Sequence, residues 1–173
     1  MQHDSESLSD YHFRSELKPG DIGEVVRQHG FYYTEQYGYG IPFEAYVAQG
    51  LYEFYMAYDP LRDKVWICES GNTLLGFLLL MHRKESSAQL RFFYLHPDAR
   101  GKGIGNRLMK QFMEELKLKG YQHCFLWTTS ELTAAAHLYK KYGFMLTEER
   151  PSSTFGKPVT EQTYEWHAPL QNS

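Results

Sequence analysis

The chain has 173 residues, of which 42% are hydrophobic and 23% charged, as is usual for one globular domain. Its formal net charge of −3 excludes an overall basic surface for nucleic acid. The two cysteines lie in apolar runs, and no run of 18 apolar residues occurs, so we expect a cytoplasmic protein with reduced thiols and no membrane span. The eight histidines show no metal-ligand spacing, and we predict no metal site.

Apolar periodicity and turn residues divide the first half of the chain into a polar tail, strands and two helices. The tail, at residues 1–9, is predicted to be disordered. The predicted elements are a strand at 11–17, a helix from 22 that the glycines at 38 and 40 end, a helix over 42–58, and strands at 64–69 and 73–81. Residues 74–80 are nearly all apolar, which predicts a buried central strand.

The second half alternates strands and helices. A turn at Ser86-Ser87 precedes a strand at 90–96, and the later predicted elements are helices beginning near 104 and 134 and strands at 123–128, 144–148 and 160–166. The order β-α-α-β-β-β-α-β-α-β-β predicts a mixed α/β domain with an antiparallel first half and a later β-α-β crossover. The domain is predicted to span 10–168 and to end in a short tail at 169–173.

A glycine-rich loop, Arg100-Gly101-Lys102-Gly103-Ile104-Gly105, joins the strand at 90–96 to an amphipathic helix. Glycines let several backbone N–H groups approach one anion, and the helix N-terminus adds unpaired N–H groups, so the loop predicts a phosphate or pyrophosphate site. Asn106 and Arg107 follow Gly105, which excludes the Walker A pattern. The third glycine also comes one residue too early for a dinucleotide fingerprint.

The loop and a second motif resemble the GNAT superfamily of N-acetyltransferases. The loop fits its signature [Gln/Arg]-x-x-Gly-x-[Gly/Ala], and residues 138–144 fit its signature L-Y-x-x-x-G-F, one strand and one helix later. The resemblance implies a mixed, mostly antiparallel sheet, splayed at the cofactor site and flanked by helices on both faces. Segments at 29–38, 126–128 and 153–164 further resemble a GNAT subgroup that is often fused to MarR-type regulators; DNA binding is not carried over.

The resemblance implies that acetyl-CoA binds with its pyrophosphate on the loop and its pantetheine arm along the preceding strand. Many members carry an Asn before the tyrosine helix, whereas this chain has hydroxyl side chains there. We therefore assign Ser130 to that contact, although it could instead cap the helix. The predicted cofactor-binding residues are Tyr94, Leu95, Arg100, Gly101, Lys102, Gly103, Ile104, Gly105 and Ser130.

The resemblance also implies that an amine attacks acetyl-CoA directly in a ternary complex. Tyr139, the Tyr of the second motif, is predicted to be the general acid toward the leaving thiolate, because an ordinary Tyr stays protonated at neutral pH. The strand before the loop has no carboxylate, so the general base is less evident. Glu35 is preferred over Glu44, and a water chain is the other possibility.

The acceptor is expected to be a primary amine of a small molecule or of a protein or peptide. Aromatic walls suit a cationic amine, and the predicted substrate-binding residues are Tyr33, Tyr37, Trp127 and Gln162, with Tyr39 beside them. A homodimer is possible. A non-catalytic acyl-CoA sensor is the alternative function, favoured by the missing strand carboxylate and opposed by the intact Tyr139.

Overall fold

The computed structural model describes residues 10–169 and contains seven strands and four α-helices in the predicted order. The predicted tail at 1–9 and residues 170–173 of the second tail lie outside the described residues. The elements are β1 (His12–Arg14), α1 (Asp21–Tyr37), α2 (Ile41–Met56), β2 (Lys64–Ser70), β3 (Thr73–His82), β4 (Ser87–Leu95), α3 (Ile104–Leu118), β5 (His123–Thr129), α4 (Thr133–Lys141), β6 (Met145–Ser152) and β7 (Val159–His167). Within residues 10–169, no helix is long and apolar enough to cross a membrane.

All seven strands form one sheet in the order β1-β2-β3-β4-β5-β7-β6. The pair β4–β5 is parallel, and every other neighbouring pair is antiparallel. The parallel pair is the one that α3 connects, as a β-α-β crossover requires. The predicted mixed, mostly antiparallel architecture is therefore confirmed.

Helices cover both faces of the sheet and create two hydrophobic cores. Alternate residues of β3 point to opposite faces, so Leu78 and Leu80 join one core while Phe77 and Leu79 join the other. The first core packs against α3 and α4, and the second against α1 and α2. This two-sided burial explains why β3 is apolar at nearly every position.

The strand bounds differ from the sequence prediction most at three strands, and by one residue at one or both ends of the other four. β1 has three residues instead of seven, and β4 begins at Ser87, where a turn was predicted. β6 extends to Ser152 and includes Pro151, which an edge strand tolerates because one side of its backbone faces away from the ladder. Nearly every residue of β6 is exposed, so its sequence lacks the alternation on which strand prediction depends.

The middle of β4 carries a β-bulge that the sequence pattern does not reveal. Arg91 pairs with Leu79 and Tyr94 with Phe77, so two residues of β4 face one residue of β3. Phe92, one of the two, has φ 54, which is unusual for a non-glycine residue. β4 and β5 pair only along Ser87–Gln89 and His123–Phe125, so the two strands separate before the bulge and leave a gap.

Candidate active site

Two adjoining cavities occupy the gap between β4 and β5. The larger, here called the loop cavity, has a volume of about 520 Å³ and reaches the glycine-rich loop. The smaller, here called the aromatic cavity, has a volume of about 210 Å³ and lies under α1, α2 and the β6–β7 connection. Tyr33, Phe93 and Leu132 line both cavities, so they mark where the two meet.

The glycine-rich loop presents backbone to the loop cavity. Gly101 and Gly103 have φ of 72 and 81, a conformation that only glycine adopts without strain. Gly103 is the N-cap of α3, and no side chain caps this helix end within the described part of the chain. The first N–H groups of α3 therefore remain available for an anion.

Gly105 allows the start of α3 to pack closely against the end of β4. A Cβ atom at this position would lie 2.8 Å from Cδ1 of Leu95, at the end of β4. The missing side chain lets the first turn of α3 lie directly against the strand, so the loop and the strand end line one cavity together with Tyr94 and Asn106.

Of the nine predicted cofactor-binding residues, six line the loop cavity: Tyr94, Leu95, Arg100, Gly101, Gly103 and Gly105. The Arg100 guanidinium stacks 4.4 Å from the ring centre of Tyr32 and donates to the Leu95 carbonyl oxygen at 3.1 Å. The Ile104 side chain is buried in the core, which leaves only its backbone to face a ligand.

Lys102 and Ser130 line neither cavity. The Lys102 ammonium lies 6.0 Å from the ring centre of Tyr11. Ser130 is exposed, and its backbone N–H donates to the Thr160 carbonyl oxygen at 2.9 Å. The wall that Ser130 was expected to form is made by the start of α4, which sequence reasoning missed: Leu132, Ala134, Ala135 and Leu138.

Tyr139 lies in the wall of the aromatic cavity. Its ring centre is 6.2 Å from that of Phe93, a residue that lines both cavities. Burial raises the pKa of Tyr139, so the phenol stays protonated at neutral pH and can donate a proton. Tyr142, the C-cap residue of α4, lines neither cavity, and its hydroxyl donates to the Asn106 carbonyl oxygen at 2.9 Å.

The predicted acceptor residues divide among different sites. Tyr33 lines both cavities, Trp127 lines the aromatic cavity, and Tyr37 lines the loop cavity. Gln162 lines neither; its amide donates to Glu149 at 2.7 Å, and it lines a third cavity of about 150 Å³ that shares Trp127 with the aromatic cavity.

Glu35, the predicted base, is exposed on α1 and lines neither cavity. Glu44 is exposed too and lines neither, and its carboxylate packs against Gly30. The structure therefore separates both candidate bases from the gap between β4 and β5.

His29 lines the aromatic cavity but was not among the predicted site residues; it lies on the apolar stripe of α1 with Val25, Val26 and Tyr33. Its Nδ1 donates to the Val25 carbonyl oxygen at 2.8 Å, and its ring stacks on Tyr33. Burial lowers the pKa of His29 to about 4, so the imidazole is neutral at pH 7. Only the tertiary structure shows that this stripe faces the aromatic cavity.

Two loops close over the aromatic cavity. The Gly40 N–H donates to the Phe155 carbonyl oxygen at 2.9 Å, and the Lys157 ammonium donates to the Tyr37 carbonyl oxygen at 2.5 Å. A Cβ atom at Gly156 would lie 3.3 Å from the Gly40 nitrogen, so glycine permits this approach. The connection between α1 and α2 is thereby joined to the β6–β7 connection.

Three potential metal ligands also meet on the sheet, remote from both cavities. His123, Glu165 and His167 place one ligand atom each within 4.8 Å of one another. His123 and His167 are opposite each other on neighbouring strands, so their separation along the chain hides the cluster from a spacing search.

The separated β4 and β5 and the glycine-rich loop at the start of the crossover helix agree with the resemblance to the GNAT superfamily of acetyltransferases. The model of the Acetyltransferase (GNAT) family matches residues 29–144, and the chain belongs to this family of acetyltransferases. The GNAT resemblance and the enzyme class expected from the motifs are both confirmed.

Relatives and solved structures agree with this assignment. The uncharacterized N-acetyltransferase YjgM of Escherichia coli is 29% identical over 128 residues, which cover 71% of this chain and 74% of the relative. The structure of yncA from Salmonella typhimurium, solved with its cofactor acetyl-CoA, shares the fold with a TM-score of 0.66 at 15% identity, covering 95% of this chain and 97% of that one. The ribosomal-protein-S18-alanine N-acetyltransferase of Escherichia coli gives a TM-score of 0.68 at 15% identity, covering 94% and 99%.

Proposed function

We propose that residues 10–168 form an N-acetyltransferase domain that moves an acetyl group from acetyl-CoA to a primary amine in a ternary complex. The observation that carries this proposal is the pair of cavities that meet at Tyr33, Phe93 and Leu132. A donor held in one cavity and an amine held in the other would approach each other in the gap between β4 and β5. Such positioning is the larger part of catalysis for two substrates.

The loop cavity fits a pyrophosphate-bearing donor. Gly101 and Gly103 expose backbone, and the Arg100 side chain adds positive charge at the same cavity. A carbon atom at Gly105 would fill the contact with Leu95 and push the helix end away. We assign the pyrophosphate to the loop and the adjacent arm to the end of β4 at Tyr94 and Leu95.

We assign to Tyr139 the role of general acid, which donates a proton to the leaving sulfur atom. Acetyl-CoA supplies an activated thioester; the transfer forms the bond from the acceptor nitrogen to the acetyl carbon and breaks the C–S bond. The Tyr139 phenol gives its proton to sulfur, and the proton that the acceptor nitrogen loses restores the phenol through solvent. We assign no role to Glu35, because its exposed side chain lines neither cavity.

The family and the relatives disfavour the alternative of a non-catalytic sensor, because they are described as acetyltransferases. The finer resemblance to the subgroup fused to MarR-type regulators stays a prediction, since the descriptions of the proteins compared above name N-acetyltransferases and no regulator. The homodimer also stays a prediction.

Binding and turnover together test the proposal. We expect the protein to bind acetyl-CoA and to release free thiol with at least one member of a panel of amino acids, arylalkylamines, polyamines and peptides. Gly103→Val, at φ 81, should weaken acetyl-CoA binding at least tenfold. Gly71→Val is the matched control, because Gly71 also has positive φ, at 56, but lies in the β2–β3 turn.

Two results would contradict the proposal. Acetyl-CoA binding that Gly103→Val leaves unchanged would remove the pyrophosphate from the loop. Binding without thiol release across the whole panel would favour the sensor.

A further inference from the structure

The aromatic cavity contains a buried cation without an acidic partner. Arg91, on β4, lines this cavity and is only 8% exposed. Its Nη2 donates to the Tyr46 hydroxyl at 3.1 Å, and its guanidinium lies 4.5 Å from the ring centre of Phe92. Among residues 10–169, no carboxylate lies within salt-bridge distance of it. Buried arginines are normally paired, so this one calls for an explanation.

The structure makes room for Arg91 at this position. A Cβ atom at Gly50 of α2 would lie 2.8 Å from Arg91 Nη2 and 2.5 Å from Phe92 Cζ. The helix can pass this close to the guanidinium only because residue 50 has no side chain. Arg91 is therefore a built feature of the cavity wall and not a surface cation that has folded inward.

A second unused donor lies on the same strand. Gln89 is 1% exposed and lines the aromatic cavity. Its Oε1 accepts from Arg83 Nε at 2.9 Å, which directs the amide so that Nε2 is the remaining donor. That Nε2 has no hydrogen-bond partner in the described part of the chain. A buried donor left unpaired is energetically unfavourable, so a ligand that accepts a hydrogen bond from it would remove this cost.

Thr128, on β5 across the gap, is another buried polar residue of the aromatic cavity. Its Oγ1 is buried without a partner, and the residue lines the same cavity from β5. Arg91, Gln89 and Thr128 thus offer hydrogen-bond donors from both sides of the gap.

The wall of the aromatic cavity carries a net positive charge, as the Arg91 guanidinium does. Among the lining residues within 10–169, the only carboxylate is Glu161, which already pairs with Arg150 at 2.7 Å. His29 is neutral at pH 7. The wall is therefore positive overall, and it opposes polyamines and other acceptors that carry extra cations.

We infer that the acceptor is an amino carboxylate with an apolar side chain, and that Arg91 binds its carboxylate with help from Gln89 and Thr128. The inference rests on the proposed acetyl transfer and names the substrate class for it. A guanidinium matches a carboxylate with two parallel hydrogen bonds, which fixes orientation as well as affinity. The aromatic residues of the wall, among them Phe43, Tyr46 and Phe155, suit the apolar side chain.

A matched set of acceptors tests the inference. L-Phenylalanine, L-phenylalaninamide and phenethylamine share the amine and the ring, but only the first bears a carboxylate. With the unmodified protein we expect kcat/KM for L-phenylalanine to exceed that for the amide by at least tenfold. Arg91→Gln should reduce the value for L-phenylalanine by about 10²-fold and leave the amide nearly unchanged.

Control variants separate this role from a general effect on folding. Arg27→Gln removes an exposed arginine of α1 that pairs with Glu24 and lines neither cavity, so it should change nothing. If Arg91→Gln lowers Tm, Thr128→Val provides the second test, because it replaces the hydroxyl by a methyl group of similar size. We expect Thr128→Val to cause a smaller loss of kcat/KM, confined to L-phenylalanine.

The outcomes distinguish this inference from the function on which it rests. If the amide and the acid react equally well, the carboxylate site is wrong while acetyl transfer stands. If acetyl-CoA binds but no amine reacts, the proposed function fails. In that case calorimetry on the CoA-loaded protein still tests the carboxylate site. Tighter binding of N-acetyl-phenylalanine than of its amide would support the site, and equal binding would overturn it.

Discussion

At the scale of single residues, Tyr139 carries the proposed acid chemistry. Tyr139→Phe removes only the hydroxyl from a buried ring, so we expect kcat to fall by about 10²-fold with little change in the affinity for acetyl-CoA. Thiol release and calorimetry measure the two quantities. Tyr142→Phe is the control at the C-cap of the same helix, because the Tyr142 hydroxyl donates to the Asn106 carbonyl oxygen and the residue lines neither cavity. Equal turnover of Tyr139→Phe and the unmodified protein would remove Tyr139 from the mechanism.

His29 makes stability depend on pH in a defined direction. Burial lowers the pKa of His29 to about 4, whereas an unfolded His titrates near 6.5. Between these values the unfolded chain binds a proton that the folded protein does not. The contribution of His29 is therefore intact above about pH 6.5 and falls by about 1.4 kcal/mol for each pH unit below it, down to about pH 4.

Urea unfolding at pH 7, 6 and 5 measures this dependence. His29→Asn keeps a donor for the Val25 carbonyl oxygen but cannot take up the proton, so its stability should fall less steeply over the same range. Parallel pH profiles for the two proteins would show that His29 is not the group responsible.

At the scale of elements, the bulge in β4 is the feature that opens the site. Deletion of Phe92 would let Phe93 pair with Leu78 and would keep the pairing on either side, Arg91 with Leu79 and Tyr94 with Phe77. We expect the variant to fold and to lose acetyl-CoA binding, because a regular β4 would follow β5 and narrow the gap. Thermal melting and calorimetry measure the two effects.

A second bulge provides the control for this deletion. In β6, Leu146 pairs with Tyr164 and Glu148 with Thr163, so Thr147 is the extra residue there. Deleting Thr147 regularises an exposed edge strand that is separated from β4 by β7 and β5, and acetyl-CoA binding should persist. If both deletions left binding intact, the bulge in β4 would not be what holds the gap open.

The same elements show which parts of the fold the sequence predicts. The order of helices and strands was predictable because apolar spacing and glycine or proline turns are local signals. The bulge was not, because the strand 90–96 reads as a continuous run and the extra residue shows only in its pairing with β3. The loop residues around Gly103 were predictable from their chemistry, whereas Leu132, His29 and Arg91 become cavity residues only through packing between elements.

At the scale of the whole molecule, the gap divides the sheet into two parts. β1 to β4 meet β5, β7 and β6 through only three paired residues of β4 and β5. The loop cavity has walls from both sides of this division, since Tyr94 and Arg100 face Ala135 and Leu138. A ligand in that cavity would therefore join the two parts as well as occupy a site.

This arrangement predicts a large stabilisation by the donor. At a free acetyl-CoA concentration of about 100 times its Kd, the free energy of unfolding should rise by about 2.7 kcal/mol, and for a domain of this size each kcal/mol raises Tm by about 2–4 °C. Pantetheine at the same concentration lacks the pyrophosphate and should give little shift, because the anchor is the loop at residues 100–105. Equal shifts for the two compounds would mean that the strand end, and not the glycine-rich loop, supplies most of the binding energy.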